Sequence, residues 1–184
     1  MPLLKERRAE PIPGYRLLEP LGRGAFGEVW KCEAPGGLYK AIKFVYGNLN
    51  GVGQDCAQAE EELRAIQRIK SIRYPFLLSM DRVESVDGEL IIVTELADQS
   101  LQDLLEKRQK ARRPGLERGP LLEYLREAAE VLDLMNLQFG LQHLDVKPHN
   151  LFLIGNHVKV GDFGLVHQVN GAAATHHSRL VHHA

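Results

Sequence analysis

The stretch His143-Leu-Asp145-Val-Lys147-Pro-His-Asn150 sets a carboxylate, a cation and a carboxamide at fixed offsets in a loop, where backbone geometry can aim all three at one place. Each group has a distinct use. A carboxylate can orient and deprotonate an attacking hydroxyl, an ammonium can neutralise a moving anion, and an amide oxygen can hold a hard cation. Further along, in Gly161-Asp-Phe-Gly164, Asp162 supplies a second hard oxygen beside a glycine. That donor set suits Mg²⁺ rather than zinc.

Working back towards the N-terminus, Gly22-Arg-Gly-Ala-Phe-Gly27 joins two strand-like runs, residues 15–21 and 28–33, and is followed by Val29. Glycines in such a turn let backbone N–H groups approach phosphate oxygens that a side chain would obstruct, although a plain glycine hairpin has the same look. A dinucleotide-binding unit needs a helix after the last glycine, and Glu28-Val-Trp-Lys-Cys reads as a strand; nor is there a G-K-[ST] for a P-loop. Pro35-Gly36-Gly37 turns the chain into a third strand over residues 38–45, in which Ala41-Ile-Lys43 places a cation among apolar residues. A lysine on an inner face needs a partner. Residues 54–70 carry Ala59, Leu63, Ile66 and Ile69 on one helical face, and Glu62 on this helix is the candidate, with Glu60 and Glu61 leaving the register open by a residue.

Two further strands are expected over residues 77–83 and 89–96, with Asp87-Gly88 as the hairpin turn, which completes a five-stranded antiparallel sheet carrying one helix. Helices follow. Ser100 with Asp103 resembles a capping box, and Pro120 suits the first turn of a longer helix bearing Leu122, Leu125, Ala129, Leu132, Met135 and Phe139 three or four apart. The basic run 107–113 reads as a solvated helix end, and residues 150–154 and 157–160 read as a short strand pair turning at Gly155-Asn156. With 23 Lys and Arg against 24 Asp and Glu, the formal charge of -1 creates no overall field that favours nucleic acid or an anionic membrane. Only Cys32 and Cys56 are present, which suits a reducing compartment, and no signal peptide or membrane-length apolar run is found. A cytoplasmic protein is expected.

Glycine loop, Ala-Ile-Lys, helix Glu, H-x-D-x-K-P-x-N and D-F-G, in that order, resemble the eukaryotic-type protein kinase family, especially its bacterial Ser/Thr members, over residues 15–165. The resemblance implies an α+β, bilobal protein-kinase-like fold. After a leader (1–13), a five-stranded N-lobe would occupy residues 14–96 and an incomplete, mainly helical C-lobe residues 97–164. It implies ATP and Mg²⁺ as cofactors and a protein with Ser or Thr hydroxyls as substrate. Asp145 would be the base, Lys147 the γ-phosphate contact, Asn150 and Asp162 the Mg²⁺ ligands, and Lys43 with Glu62 the phosphate-orienting pair. Leu21, Gly22, Gly24 and Gly27 would cover the nucleotide, Val29, Ala41 and Phe152 would sandwich adenine, and Thr94 resembles the gatekeeper before hinge bonds from the backbone of Glu95 and Ala97. Ile66, His143 and Phe163 would form an apolar spine.

Two departures stand out. Leu144 replaces the arginine that most family members carry after the loop histidine, which removes the cation expected to pair with a phosphorylated activation loop. Residues 165–184 hold no A-P-E, no Asp or Glu, and five of the eight histidines, and read as a flexible tail rather than a metal site. On the family pattern the large lobe would then be unfinished. The reading from sequence is thus a Ser/Thr kinase, with a nucleotide-binding interaction module lacking turnover as the alternative.

Overall fold

A computed structural model describes residues 4–24 and 26–168. Five antiparallel strands, β1 (Arg16–Gly24), β2 (Gly27–Ala34), β3 (Leu38–Val45), β4 (Met80–Val86) and β5 (Glu89–Glu95), form one sheet in the order β1-β2-β3-β5-β4. Period-two alternation sends Ile42, Phe44, Ile91 and Val93 to one face, where they bury with Leu17, Cys32 and Ile12. That face is covered by the chain before β1: Arg8 donates its N–H to the Leu17 carbonyl and Leu17 donates back to Ala9, both at 2.8 Å. The opposite face receives α1 (Gln54–Ile69), whose Ile66 packs with Val45, Leu90 and Ile92.

Below the sheet lie β6 (Gln99–Ser100), α2 (Leu101–Lys110), α3 (Arg118–Phe139), β7 (Leu141–Gln142), β8 (Leu151–Ile154), β9 (His157–Val160) and β10 (His167–Gln168). Strands β6, β8 and β9 make a three-stranded sheet, and β10 pairs with β7. Ser100 caps α2 through the expected box: its hydroxyl accepts from the Asp103 N–H at 3.1 Å and its own N–H donates to the Asp103 carboxylate at 2.8 Å. Asp87 (φ 51) and Gly88 (φ 84) turn the β4–β5 hairpin in the conformation that Asp-Gly favours.

Two expectations shift. The fourth strand begins at Met80, not residue 77, because Leu77 and Leu78 are buried anchors between the lobes; the Leu78 N–H donates to the Val160 carbonyl at 2.9 Å. Of the spaced set on helix α3, Met135 is buried and Leu132 packs against the core, whereas Leu122, Leu125, Ala129 and Phe139 lie exposed, and Ala128 and Val131, outside that set, are buried instead. Both sides of this helix are apolar, so spacing alone does not choose the packed one. Residues 169–184, most of the expected tail, lie outside the described residues. Among the described residues no helix is long and apolar enough to cross a membrane.

Candidate active site

Lys43 faces the inner side of the sheet because it sits two residues from Ala41 and two from Val45 on β3, opposite Val29 and Ile92 in register. Its ammonium lies 2.7 Å from Glu62 Oε1 and 2.9 Å from Asp162 Oδ1. Glu62, only 3% exposed, is the buried member of the Glu60–Glu62 run, which resolves the register. Burial pulls the Lys43 pKa down, and the charges of Glu62 and Asp162 more than offset it, so the ammonium is held above the ordinary lysine value. Burial pushes the Glu62 carboxyl up against the pull of Lys43. Two carboxylates flanking one cation keep Lys43 charged and fixed.

Asp162 takes its place from a left-handed backbone (φ 59) after Gly161, whose N–H donates to the Asn150 carbonyl at 3.0 Å. Beside it, Gly164 approaches Glu62 so closely that a Cβ there would lie 2.6 Å from Oε2. Residues Gly161 and Gly164 thus clear space on both sides of Asp162 and Phe163.

The loop of residues 143–150 is internally cross-linked. Asp145 Oδ2 accepts from Lys147 Nζ at 2.7 Å and from Asn150 Nδ2 at 2.9 Å, and the same Nδ2 reaches the Asp145 carbonyl at 2.9 Å. The Asn150 nitrogen end is therefore committed to Asp145, which leaves its amide oxygen as the end able to meet a cation. Lys147, and with it Asn150, outweighs partial burial and holds the Asp145 carboxyl below the usual carboxylate range. His143 is 3% exposed; its Nε2 donates to the Gly161 carbonyl at 3.0 Å while Nδ1 accepts the Asp145 N–H at 3.3 Å. Burial keeps this imidazole neutral at pH 7, and its ring meets Phe163 edge-on at 5.5 Å. Between His143 and Asp145, Leu144 adopts φ 57 and is 60% exposed.

A cavity of about 410 Å³ opens between the sheet and the lower elements. Leu21, Gly22, Val29 and Ala41 line it with Phe152, Thr94 and Glu95, Ala97 on the connecting segment, and the ion-paired Lys43, Glu62 and Asp162. These are the residues expected there from sequence. Gly24, Gly27, Asp145, Lys147 and Asn150 do not line it. Gly24 and Gly27 pair at the tip of the β1–β2 hairpin. Gly22 and Gly24 have open space where a Cβ would stand, whereas a Cβ on Gly27 (φ 152) would lie 2.2 Å from the Phe44 carbonyl oxygen. Only Gly27 is required by packing. Leu78, Met80 and Ile92 also line the cavity, as do Ser100, Asp103 and His149 towards α2. The apolar three read from sequence as strand and core residues, and nothing in their spacing marks them as lining.

The cleft thus holds a part-buried cation between two carboxylates, and the chain also carries a cross-linked Asp-Lys-Asn loop and a glycine-tipped hairpin. The family model described as the protein kinase domain matches residues 15–182. Among curated proteins, the chain is 28% identical over 156 residues to the MAPK/MAK/MRK overlapping kinase of Mus musculus (83% of this chain, 35% of that protein). It is 31% identical over 159 residues to CBL-interacting protein kinase 4 of Oryza sativa subsp. japonica (85% and 34%), and 30% identical over 181 residues to protein-tyrosine kinase 6 of Mus musculus (92% and 38%). The chain belongs to the protein kinase family and has its α+β fold. It spans about a third of the length of these relatives.

Proposed function

We propose that this chain binds MgATP in the cleft and transfers the γ-phosphoryl group to a Ser or Thr hydroxyl of a protein. The observation that carries the reading is Lys43, fixed at 2.7 and 2.9 Å between Glu62 and Asp162 in a cavity with apolar walls. An immobilised ammonium is a ready contact for the α and β phosphates, while Val29, Ala41 and Phe152 offer the faces between which adenine fits. Thr94 lines the cavity in the gatekeeper role, and the backbone of Glu95 and Ala97 offers hydrogen bonds to the base.

In transfer, the hydroxyl oxygen forms a bond to the γ-phosphorus, the bond from that phosphorus to the β-γ bridging oxygen breaks, and ADP departs with the electron pair. The hydroxyl proton passes to Asp145. Asp145 orients the hydroxyl and receives its proton as the new oxygen–phosphorus bond forms. Lys147 offsets the charge on the moving group. Mg²⁺, when bound, neutralises phosphate oxygens. Asp162 and the free amide oxygen of Asn150 form a hard-oxygen donor pair that fits it, with phosphates and water as further ligands. Ser/Thr specificity rests on Lys147 two residues after Asp145.

The test is transfer of labelled phosphate from ATP to a generic protein substrate by the 184-residue chain and by Asp145→Asn. Transfer by the first and its loss in the second supports a Ser/Thr kinase when phosphoserine or phosphothreonine is recovered. MgATP binding without transfer assigns instead a nucleotide-binding interaction module.

A further inference from the structure

Glu95 ends β5, and while its residue borders the cavity, its carboxylate is engaged elsewhere. Oε1 accepts from the Ser79 N–H at 2.7 Å and from Lys159 Nζ at 2.8 Å. Ser79 precedes β4 in the upper sheet, and the Glu95 N–H donates back to its carbonyl at 3.2 Å. Lys159 belongs to β9 below, in register with Phe152, which lines the cavity. The connection between lobes is fastened again at its other end: the Asp98 N–H donates to the Leu153 carbonyl at 2.9 Å, and Asp98 Oδ2 accepts the Gly155 N–H at 2.8 Å. Both ends of residues 95–98 are therefore tied to the same β8–β9 hairpin.

The Glu95–Lys159 pair is the only one of these ties made between opposite charges. Its side chains are 21% and 19% exposed, so water screens the attraction less than at the open surface. An untied connection would have to be ordered whenever a ligand bound, at a cost in affinity; a tied one is ordered beforehand. We propose that Glu95 and Lys159 form a latch that presets the connecting segment, making the Glu95 carboxylate and Lys159 positioning residues for recognition of the base rather than of the phosphates. The latch rests on the reading that the cleft takes an adenine nucleotide.

Calorimetric titration of the full chain with adenosine and with MgADP tests it. The unaltered chain binds both. Lys159→Met weakens both by the same factor, about three- to tenfold, whereas Lys43→Met weakens MgADP by a much larger factor than adenosine. Glu95→Gln keeps an amide oxygen for the Ser79 N–H but loses the charge, and weakens both ligands to a similar degree; if Lys159→Met does not fold, this variant carries the test. The double variant loses no more than either single one, as members of one unit do. The latch is overturned if affinities stay unchanged while only the melting temperature falls, if MgADP alone is weakened, or if the two single losses add. Absence of binding to both ligands by the unaltered chain removes the nucleotide reading itself, and the latch with it.

Discussion

Lys43, Glu62, Asp162 and Gly164 work as one packed group, because the room for the Glu62 carboxylate depends on the missing side chain at Gly164. Gly164→Ala places a Cβ against Oε2 and forces the end of the Glu62 side chain, whose Oε1 meets Lys43, to shift. Calorimetry should show MgADP binding weakened; unchanged affinity would show that the close approach has no functional weight. Asp145 supplies a pH test. Its folded-state pKa is depressed, so its contribution to stability is present above the ordinary carboxylate value of 3.8 and is lost as pH falls through the lower folded value. Lys147→Met removes the largest cause of that depression. The acid limb of the phosphotransfer profile should move to higher pH, and an unmoved limb would mean that another group sets it. At this scale the sequence is most legible in Lys43, Glu62 and Asp162, which motif order names and the cleft brings together, whereas His149 lines the cleft with no signal in its motif, and Asp145, Lys147 and Asn150 do not line it. Gly164 as the neighbour of Glu62, and Leu78, Met80 and Ile92 as cavity lining, were not legible, because contact across elements leaves no local pattern.

Elements divide by how many signals agree. Strand β3 is legible at its observed bounds, since a Pro-Gly-Gly turn starts it and an apolar run fills it. Strand β4 starts later than its apolar pattern suggests, because Leu77 and Leu78 read as strand but serve as anchors between the lobes. Helix α3 presents two apolar sides, and the described structure packs the one with Val131 and Met135, both 0% exposed, while Leu137 is 71% exposed. Glu127 lies on the packed side too, its carboxylate accepting from the Val158 N–H at 2.8 Å, and a buried acid gives no hydrophobic signal. Met135→Ala should lower unfolding free energy by about 2–5 kcal/mol, and Leu137→Gln should change it by no more than about 0.5 kcal/mol, measured by denaturant titration. The reverse ranking would mean that α3 packs by its other side.

As a whole, the molecule is a sheet with α1 on one face and the chain before β1 on the other, set over a mainly helical lower part, and the cleft lies at their junction. Motif order was enough to specify this architecture because each motif belongs to a different element, and their joint function requires those elements to meet. The path of residues 8–15 across the outer face was not foreseen, since a charged leader carries little apolar periodicity beyond Ile12. The central claim is that this cleft holds a magnesium nucleotide through Lys43. It is tested most directly by the melting temperature of the 184-residue chain with and without saturating MgATP, compared with Lys43→Met. The expected result is a clear upward shift for the unaltered chain and little or none for the variant; no shift in either, or an equal shift in both, would contradict it.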